Sequence, residues 1–197
     1  MDNPAFGILQ CLRCPLGQHR DDNGLLSVPA EAGNVYTIGG IAVLAEAPGA
    51  QEAATGRPMV GKAGNLLNSL LARAGLSRAE VVILNRVRCQ PVRNRIQSEW
   101  GQAALVACDD WTQQELAYYN PSVVVLMGAT AMELLFGSKP KVTKTRGMYT
   151  TTNESNPYGA RTWVATAHPA AIFRDRAWER LIVQDLKLVK ELWECSI

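Results

Sequence analysis

Four short runs of strand-forming residues constrain the fold of this chain more than any other feature. They occupy residues 41–44, 81–84, 123–127 and 162–166. The runs are mostly apolar and show little polar–apolar alternation, which is typical of strands that are covered on both faces. Such strands need helices on both sides of the sheet, so the runs predict an α/β architecture.

Helical patterns separate these runs. Gly75 closes a leucine stripe, Asn120-Pro121 ends a longer pattern, and Thr130 and Glu133 have the spacing of a helix-capping pair. The predicted helices cover residues 63–74, 99–119, 130–136 and 177–195. The alternation of strand and helix predicts a single domain over residues 1–197, a three-layer α/β/α sandwich with a central four-stranded parallel sheet.

Composition narrows the class of protein. Of the 197 residues, 47% are hydrophobic and 19% are charged, which is ordinary for a globular domain. No apolar run approaches the roughly 18–20 residues that cross a bilayer, and the first residues lack the pattern of a secretion signal. We therefore expect a cytoplasmic protein without a membrane partner. The net charge of +2 does not by itself indicate nucleic-acid binding.

Polar side chains follow three of the four strand runs. Glu46 follows the first run, Asn85 the second and His168 the fourth. Parallel strands bring their carboxyl ends to one edge of the sheet, where open α/β sheets bind ligands. Residues 56–64 form a glycine-rich loop that lets the backbone approach a flat or charged group. The pattern predicts one shared site at this edge.

The cysteines predict a metal centre. Cys11 and Cys14 form a C-x-x-C pair, and Cys89 and Cys108 follow later in the chain. Structural disulfides are not expected without a secretion signal, whereas four thiolates suit either zinc or a [4Fe–4S] cluster. Cys195 stands near the end of the sequence and is expected to take no part.

Six motifs in a fixed order carry a resemblance to a known family. They are the Cys11–Cys14 pair, EAPGAQE at 46–52, GRPMVGKAG at 56–64, NRVRCQPVRNR at 85–95, TKTRG at 143–147 and HPAAIFR at 168–174. With them the chain resembles the uracil-DNA glycosylase superfamily, specifically its iron–sulfur family-4 branch, over nearly its whole length. The resemblance implies a [4Fe–4S] cluster on Cys11, Cys14, Cys89 and Cys108. It also implies removal of uracil from DNA in base-excision repair.

The resemblance assigns roles at the strand ends. Asn85 would bind the O4/N3 edge of uracil, because an amide offers both a donor and an acceptor. His168 would stabilise the charge that develops on O2 of the leaving base. Glu46 marks the turn whose backbone would line the base, and Glu52 would wall its C5 side and help to position water. The expected substrate-binding residues are Ala45, Ala47, Gly49, Met59 and Asn85.

Local clusters of basic residues are the candidates for DNA contact. The first cluster contains Arg86, Arg88, Arg93 and Arg95, and the others lie at 139–146 and 174–180. Their arginines and lysines would contact phosphates, and an apolar residue after His168 would wedge into the base stack. The expected DNA-binding residues are Ile172, Phe173, Arg174, Lys144 and Arg146. We expect a monomer that acts on single- or double-stranded DNA.

Met59 departs from the family pattern and leaves the substrate open. The family usually has phenylalanine there, which stacks on the flipped base, and methionine lacks that flat face. One alternative is therefore a glycosylase for a C5-modified or otherwise deaminated base. A second alternative is a catalytically weak DNA-binding accessory protein, which the presence of both Asn85 and His168 disfavours.

Overall fold

The computed structural model describes residues 3–196 and builds one six-stranded sheet from them. The strands are β1 (Glu31–Ala32), β2 (Ile41–Ala45), β3 (Val81–Asn85), β4 (Val123–Met127), β5 (Tyr149–Thr151) and β6 (Thr162–Thr166). Their order across the sheet is β1-β3-β2-β4-β6-β5. The four central strands are parallel, as the sequence predicts, and their apolar side chains are buried on both faces.

The two edge strands were not predicted. β1 pairs antiparallel with β3, and β5 pairs antiparallel with β6, so the sheet is mixed rather than purely parallel. β1 has two residues and β5 has three, and Tyr149 in β5 is 54% exposed. Neither strand carries the apolar run that identified the central strands, because an edge strand is only half covered.

Helices cover both faces of the sheet. They are α1 (Ala5–Leu9), α2 (Pro15–Asp22), α3 (Ala50–Thr55), α4 (Lys62–Arg73), α5 (Glu99–Ala107), α6 (Asp109–Tyr119), α7 (Ala129–Met132), α8 (Val142–Thr145) and α9 (Ala177–Glu194). α4 and α9 pack on one face through Leu67, Leu71 and Leu186. α6 and α7 pack on the other face, where Leu116 and Trp163 are buried. This arrangement confirms the three-layer α/β/α class.

Two helix predictions were wrong in detail. Residues 99–119 form two helices rather than one, because the helix is interrupted at Cys108, between α5 and α6. The break coincides with burial of the Cys108 side chain among the other cysteines. α7 is shorter than the predicted helix 130–136 and begins after Gly128, which has no side chain to cap it. Thr130, the predicted cap, lies inside the helix, and its hydroxyl donates to Glu46.

A third cluster of buried residues lies beside the sheet. α1, α2, α5 and the start of α6 enclose it, and it contains Ile8, Leu16 and Trp111 together with the cysteines. Ala47, in the turn after β2, also packs against this cluster. The cysteines are therefore connected to the carboxyl edge of the sheet. Among residues 3–196, no helix is both long enough and apolar enough to span a membrane.

Candidate active site at the strand ends

The register of the parallel strands brings the predicted residues to one edge. Ala45 lies opposite Asn85, and Met127 lies opposite Thr166, so β2, β3, β4 and β6 end level with one another. Gly128 has a φ of +91°, and a Cβ at this position would lie 3.4 Å from the Cβ of His168. Glycine therefore lets the turn after β4 pass close to the turn that carries His168.

Asn85 is a buried amide without a hydrogen-bond partner among the described residues. Its exposed fraction is 3%, and its side chain makes no hydrogen bond to any residue in the described range 3–196. Neither polar atom of the amide is completely sealed from solvent, since neither belongs to the fully buried unpaired atoms. A buried amide normally finds a partner, because leaving it unpaired costs about 1–3 kcal/mol. The amide is therefore available to a ligand that enters the edge of the sheet.

His168 is held as a neutral imidazole. Burial lowers the pKa of His168 to about 4, although the nearby Glu52 carboxylate opposes this shift. The backbone N–H of Ala170 donates to Nδ1 of His168 at 3.2 Å. Nδ1 is therefore the acceptor nitrogen, and the ring proton resides on Nε2. Near neutral pH the side chain can donate a hydrogen bond through Nε2 without carrying a positive charge.

Glu46 is oriented by a residue that sequence reasoning missed. The Thr130 hydroxyl donates to Oε2 of Glu46 at 2.5 Å. Arg86 donates to the Thr130 carbonyl at 3.0 Å and lies 3.8 Å from Asp109, whose Oδ1 accepts from Tyr158 at 2.7 Å. The sequence does contain a signal for Thr130. It stands just after β4, and the end of every central strand contributes to this edge.

Glu52 fixes the loops rather than standing free. Its Oε2 accepts from the Gly49 N–H at 3.1 Å, and its Oε1 accepts from the N–H groups of Val60 and Gly61 at 3.0 and 2.8 Å. The carboxylate thus ties the turn after β2 to the glycine-rich loop. Gly49, expected to contact the substrate, has its N–H committed to Glu52.

The backbone of Met59 is strained and locked. Its φ is +50°, and its side chain is only 7% exposed and belongs to the core cluster under α4 and α9. Arg78 donates to the carbonyls of Pro58 and Met59 at 2.7 and 2.9 Å. Gly64 is required here, because a Cβ at that position would lie 1.9 Å from the Met59 carbonyl oxygen. Such strain persists where the surrounding contacts hold it and is common at ligand sites.

The loop after His168 separates the two wedge candidates. Phe173 is 59% exposed at the end of the 3₁₀-helix Pro169–Phe173, whereas Ile172 packs against the core. Arg174 and Lys144 are exposed. Arg146 instead donates to Asp185, with Nε 3.0 Å from Oδ2, and to the Leu181 carbonyl.

The first basic cluster is divided in the same way. Arg88 is 2% exposed and forms an ion pair with the buried Glu115. Arg86 has an 11% exposed side chain and belongs to the Thr130–Asp109 network. Arg93 and Arg95 are exposed. The prediction that these four arginines form one DNA-contacting set was therefore wrong for Arg88, which is needed to compensate a buried carboxylate.

The four predicted ligand cysteines lie in one cluster. Cys89 and Cys108 are buried there, and Cys11 and Cys14 pack against them. Burial raises the pKa of Cys89 to about 12, and the other three thiols contribute to this shift. The indole N–H of Trp111 donates to Sγ of Cys11 at 3.4 Å. Cys195 is exposed and lies apart from them.

The donor set suits a metal centre held by thiolates. Four thiols in one apolar environment are the ligands of zinc and of [4Fe–4S] centres, and a cationic centre would relieve the cost of ionising them. Within residues 3–196, no group of three or more His, Cys, Asp and Glu side chains is arranged to hold a metal ion.

Comparisons with known proteins identify the family of this chain. Residues 39–194 match the family model described as the uracil DNA glycosylase superfamily. The chain is 35% identical to the Type-4 uracil-DNA glycosylase of Thermotoga maritima over 186 residues, 93% of this chain and 89% of that protein. It is 30% identical to the Type-4 uracil-DNA glycosylase of Saccharolobus solfataricus over 197 residues, 97% of this chain and 85% of that protein. The chain therefore belongs to the uracil DNA glycosylase superfamily.

Proposed function

We propose that this protein removes uracil from DNA by hydrolysing the N-glycosidic bond and leaving an abasic site, as in base-excision repair. The proposal rests on two polar groups that lie at the same edge of the sheet. Asn85 offers a buried amide that has no hydrogen-bond partner within residues 3–196, and His168 offers a neutral Nε2–H donor. The relatives named as Type-4 uracil-DNA glycosylases support the choice of uracil.

The chemistry follows from these two groups. A glycosylase first takes the base out of the stack and holds it in a pocket, at a cost of a few kcal/mol. The Asn85 amide would then pair with the O4/N3 edge of uracil. Cleavage leaves positive charge on the sugar and negative charge on the base. His168 would donate from Nε2 to O2 of the base, where the negative charge develops.

The carboxylates would take different roles. Glu46 is held in place by the Thr130 hydroxyl, so it would stabilise the positive sugar electrostatically and help to position the attacking water. Glu52 is bonded to three backbone N–H groups, which supports a positioning role for the loops that wall the base. The hydroxyl of the attacking water completes the abasic sugar, and its proton is released to solvent or to the departing base.

We also propose that Cys11, Cys14, Cys89 and Cys108 hold a [4Fe–4S] cluster. When bound, the cluster would crosslink the N-terminal segment, the loop after β3 and the α5–α6 junction. Ala47 packs against the buried residues that surround these cysteines, so the bound [4Fe–4S] group would also stabilise the turn that carries Glu46. The cluster's proposed role is therefore structural.

DNA would lie across the carboxyl edge of the sheet. The exposure of Phe173 supports it as the residue that wedges into the stack, and the partial burial of Ile172 against the core supports a packing role. Arg174 and Lys144 would contact phosphates. Because Arg146 is paired with Asp185, we propose that it acts on DNA binding indirectly, by holding the adjacent helix α8 that presents Lys144. We propose that residues 1–197 act as one monomeric, cytoplasmic domain.

The pH dependence of excision should reflect the neutral His168. Because the pKa of His168 is lowered to about 4, the side chain stays neutral from pH 8 down to about pH 5. We expect a single-turnover rate that does not fall across pH 6.5, the ordinary pKa of histidine. As the pH falls from about 6.5 to about 4, the free energy of unfolding should also fall, because the unfolded chain gains a proton at His168 in this range while the folded chain does not. A rate that halves near pH 6.5 would contradict the assignment of His168 as a neutral donor.

Met59 tests the identity of the base. If uracil is the substrate, Met59→Phe should supply a stacking face and strengthen uracil binding by up to roughly 1–3 kcal/mol. If the pocket instead serves a bulkier C5-substituted pyrimidine, activity on that base should fall, because the larger side chain crowds the pocket. Both effects are measured as single-turnover rates on matched oligonucleotides. Unchanged rates on every base would show that Met59 does not contact the flipped nucleotide.

A panel of substrates tests the proposed function itself. Single- and double-stranded oligonucleotides of one sequence would carry uracil, thymine, a C5-substituted uracil or hypoxanthine at one position. We expect abasic sites at uracil above all other bases. Preferential cleavage of a modified base would favour the first alternative substrate, and cleavage of none would favour the accessory DNA-binding protein.

A further inference from the structure

A groove lies beside the loop that follows β3, outside the site at the strand ends. It has a volume of about 420 Å³, within the roughly 300–1,000 Å³ of typical ligand pockets. Trp100 is 44% exposed on its wall, although large aromatic side chains are usually buried. The lining residues are Val92, Arg93, Arg95, Ser98, Glu99 and Trp100.

The positive groups of this groove are the guanidinium groups of Arg93 and Arg95, and they are available to a ligand. Within the described residues, the guanidinium groups of Arg93 and Arg95 make no ion pair, whereas Arg88 and Arg146 each pair with a carboxylate. Glu99 adds one exposed carboxylate at the start of α5, so the groove keeps a net positive charge. Two uncommitted guanidinium groups beside an exposed aromatic ring indicate a surface that meets an anionic, flat ligand.

The loop that presents the arginines is held in a fixed shape. Arg93 and Asn94 have φ values of +54° and +55°, which few side-chain-bearing residues adopt. The Gln90 amide donates to the Asn94 side chain at 3.0 Å, and the Ser98 hydroxyl donates to the Arg95 carbonyl at 2.8 Å. These bonds stabilise a local conformation that is otherwise unfavourable, as is common where a loop binds a ligand.

Trp100 is supported on one side by the neighbouring helix. The ring of His19, in α2, lies 6.0 Å from the Trp100 ring at an interplanar angle of 59°. α2 and α5 pack together, so this contact fixes the position of the indole. The groove also belongs to the connection that leaves the carboxyl end of β3, directly after Asn85. Val92, in the wall of the groove, packs against the same buried cluster as Ala47, in the turn that carries Glu46, so the groove adjoins the cluster that borders the strand-end site.

We propose that this groove binds a single-stranded stretch of the DNA substrate that flanks the target base. One base would stack on Trp100, and adjacent phosphates would pair with Arg93 and Arg95. This combination of an aromatic face and paired cations matches both parts of a nucleotide and requires no base sequence. The proposal rests on the proposed function only in taking DNA as the ligand.

Binding of oligonucleotides that carry one deoxyuridine analogue with a non-cleavable glycosidic bond tests the groove. Fluorescence anisotropy would compare short strands centred on this nucleotide with strands extended from it on the 5′ or the 3′ side. Trp100→Ala should weaken binding of one extended series by about 5- to 100-fold and leave the short strands unaffected. Trp100→Phe should retain most of the affinity, because it keeps a stacking face. Joint replacement of Arg93 and Arg95 by alanine should reduce the salt dependence by about 1.4 in log–log slope.

The control is Val106→Ala, which truncates an 80% exposed side chain on the same helix and should bind like wild type. At saturating DNA, Trp100→Ala should excise uracil at the wild-type single-turnover rate, because the groove does not touch the reacting atoms. Unchanged affinity on every strand, or an equal loss on short and extended strands, would overturn the proposal. So would binding of an acidic peptide, poly-glutamate, that is tighter than DNA binding and depends on Trp100. A protein that releases no uracil but shows the length-dependent loss would refute the proposed activity and leave the groove standing.

Discussion

Replacing His168 with alanine should lower the single-turnover rate of uracil excision by about 10²–10³-fold. The loss follows from removing the Nε2–H donor, since one oxyanion donor of this kind typically contributes that factor. Replacing Asn85 with alanine should cost about 10²-fold or more, because the amide would no longer bind the leaving base. Both rates are measured with enzyme in excess over an oligonucleotide that carries one uracil.

Two further measurements separate catalysis from folding. Binding of uracil-free DNA should be nearly unchanged in both variants, because neither residue contacts the backbone in this account. Asn85→Ala should not lower the midpoint of thermal unfolding, since its buried amide makes no hydrogen bond to the described part of the chain that could be lost. A variant that keeps the full excision rate would show that the site is assigned to the wrong residue.

Replacing Cys89 or Cys11 with alanine should give insoluble or colourless protein. Wild-type protein should be brown, with broad absorption at roughly 400 nm from thiolate-to-iron charge transfer. Loss of one ligand from a centre that joins three chain segments removes both the colour and much of the stability. The absorption spectrum, iron and sulfide content and thermal unfolding of each variant are the measurements.

Cys195→Ser is the matched control for the cluster. Cys195 is exposed and lies outside the cysteine cluster, so its replacement should leave colour, iron content and stability unchanged. Colourless wild-type protein with one zinc per chain would contradict the iron–sulfur assignment while leaving a four-cysteine metal site intact.

The central sheet and the strand-end residues could be predicted because they depend on local pattern. Strands β2, β3, β4 and β6 are buried on both faces, so their sequences are apolar over their whole length. Once parallel, their ends must lie level, which places Glu46, Asn85 and His168 at one edge. The strands β1 and β5 could not be found in this way, because they are short and only partly covered.

The tertiary partners of charged residues could not be predicted. Arg88 and Arg146 stand in basic stretches of sequence, yet each pairs with a buried carboxylate on a distant helix, Glu115 or Asp185. Which carboxylate each arginine meets depends on how α6 and α9 pack against the rest of the domain. The local sequence does not specify that packing. Thr130 was missed for a similar reason, because its spacing to Glu133 is that of a capping pair while its hydroxyl binds Glu46.

Release of the free base tests the central claim most directly. Wild-type protein would be incubated in excess with an oligonucleotide carrying one uracil and, separately, with the same strand carrying thymine. Mass spectrometry would quantify the free base and the abasic strand in each reaction. We expect one free uracil and one abasic site per uracil strand, none from the thymine strand, and a release at least about 10²-fold slower with His168→Ala. Wild-type protein that binds the uracil strand but releases no free uracil would contradict the proposed activity.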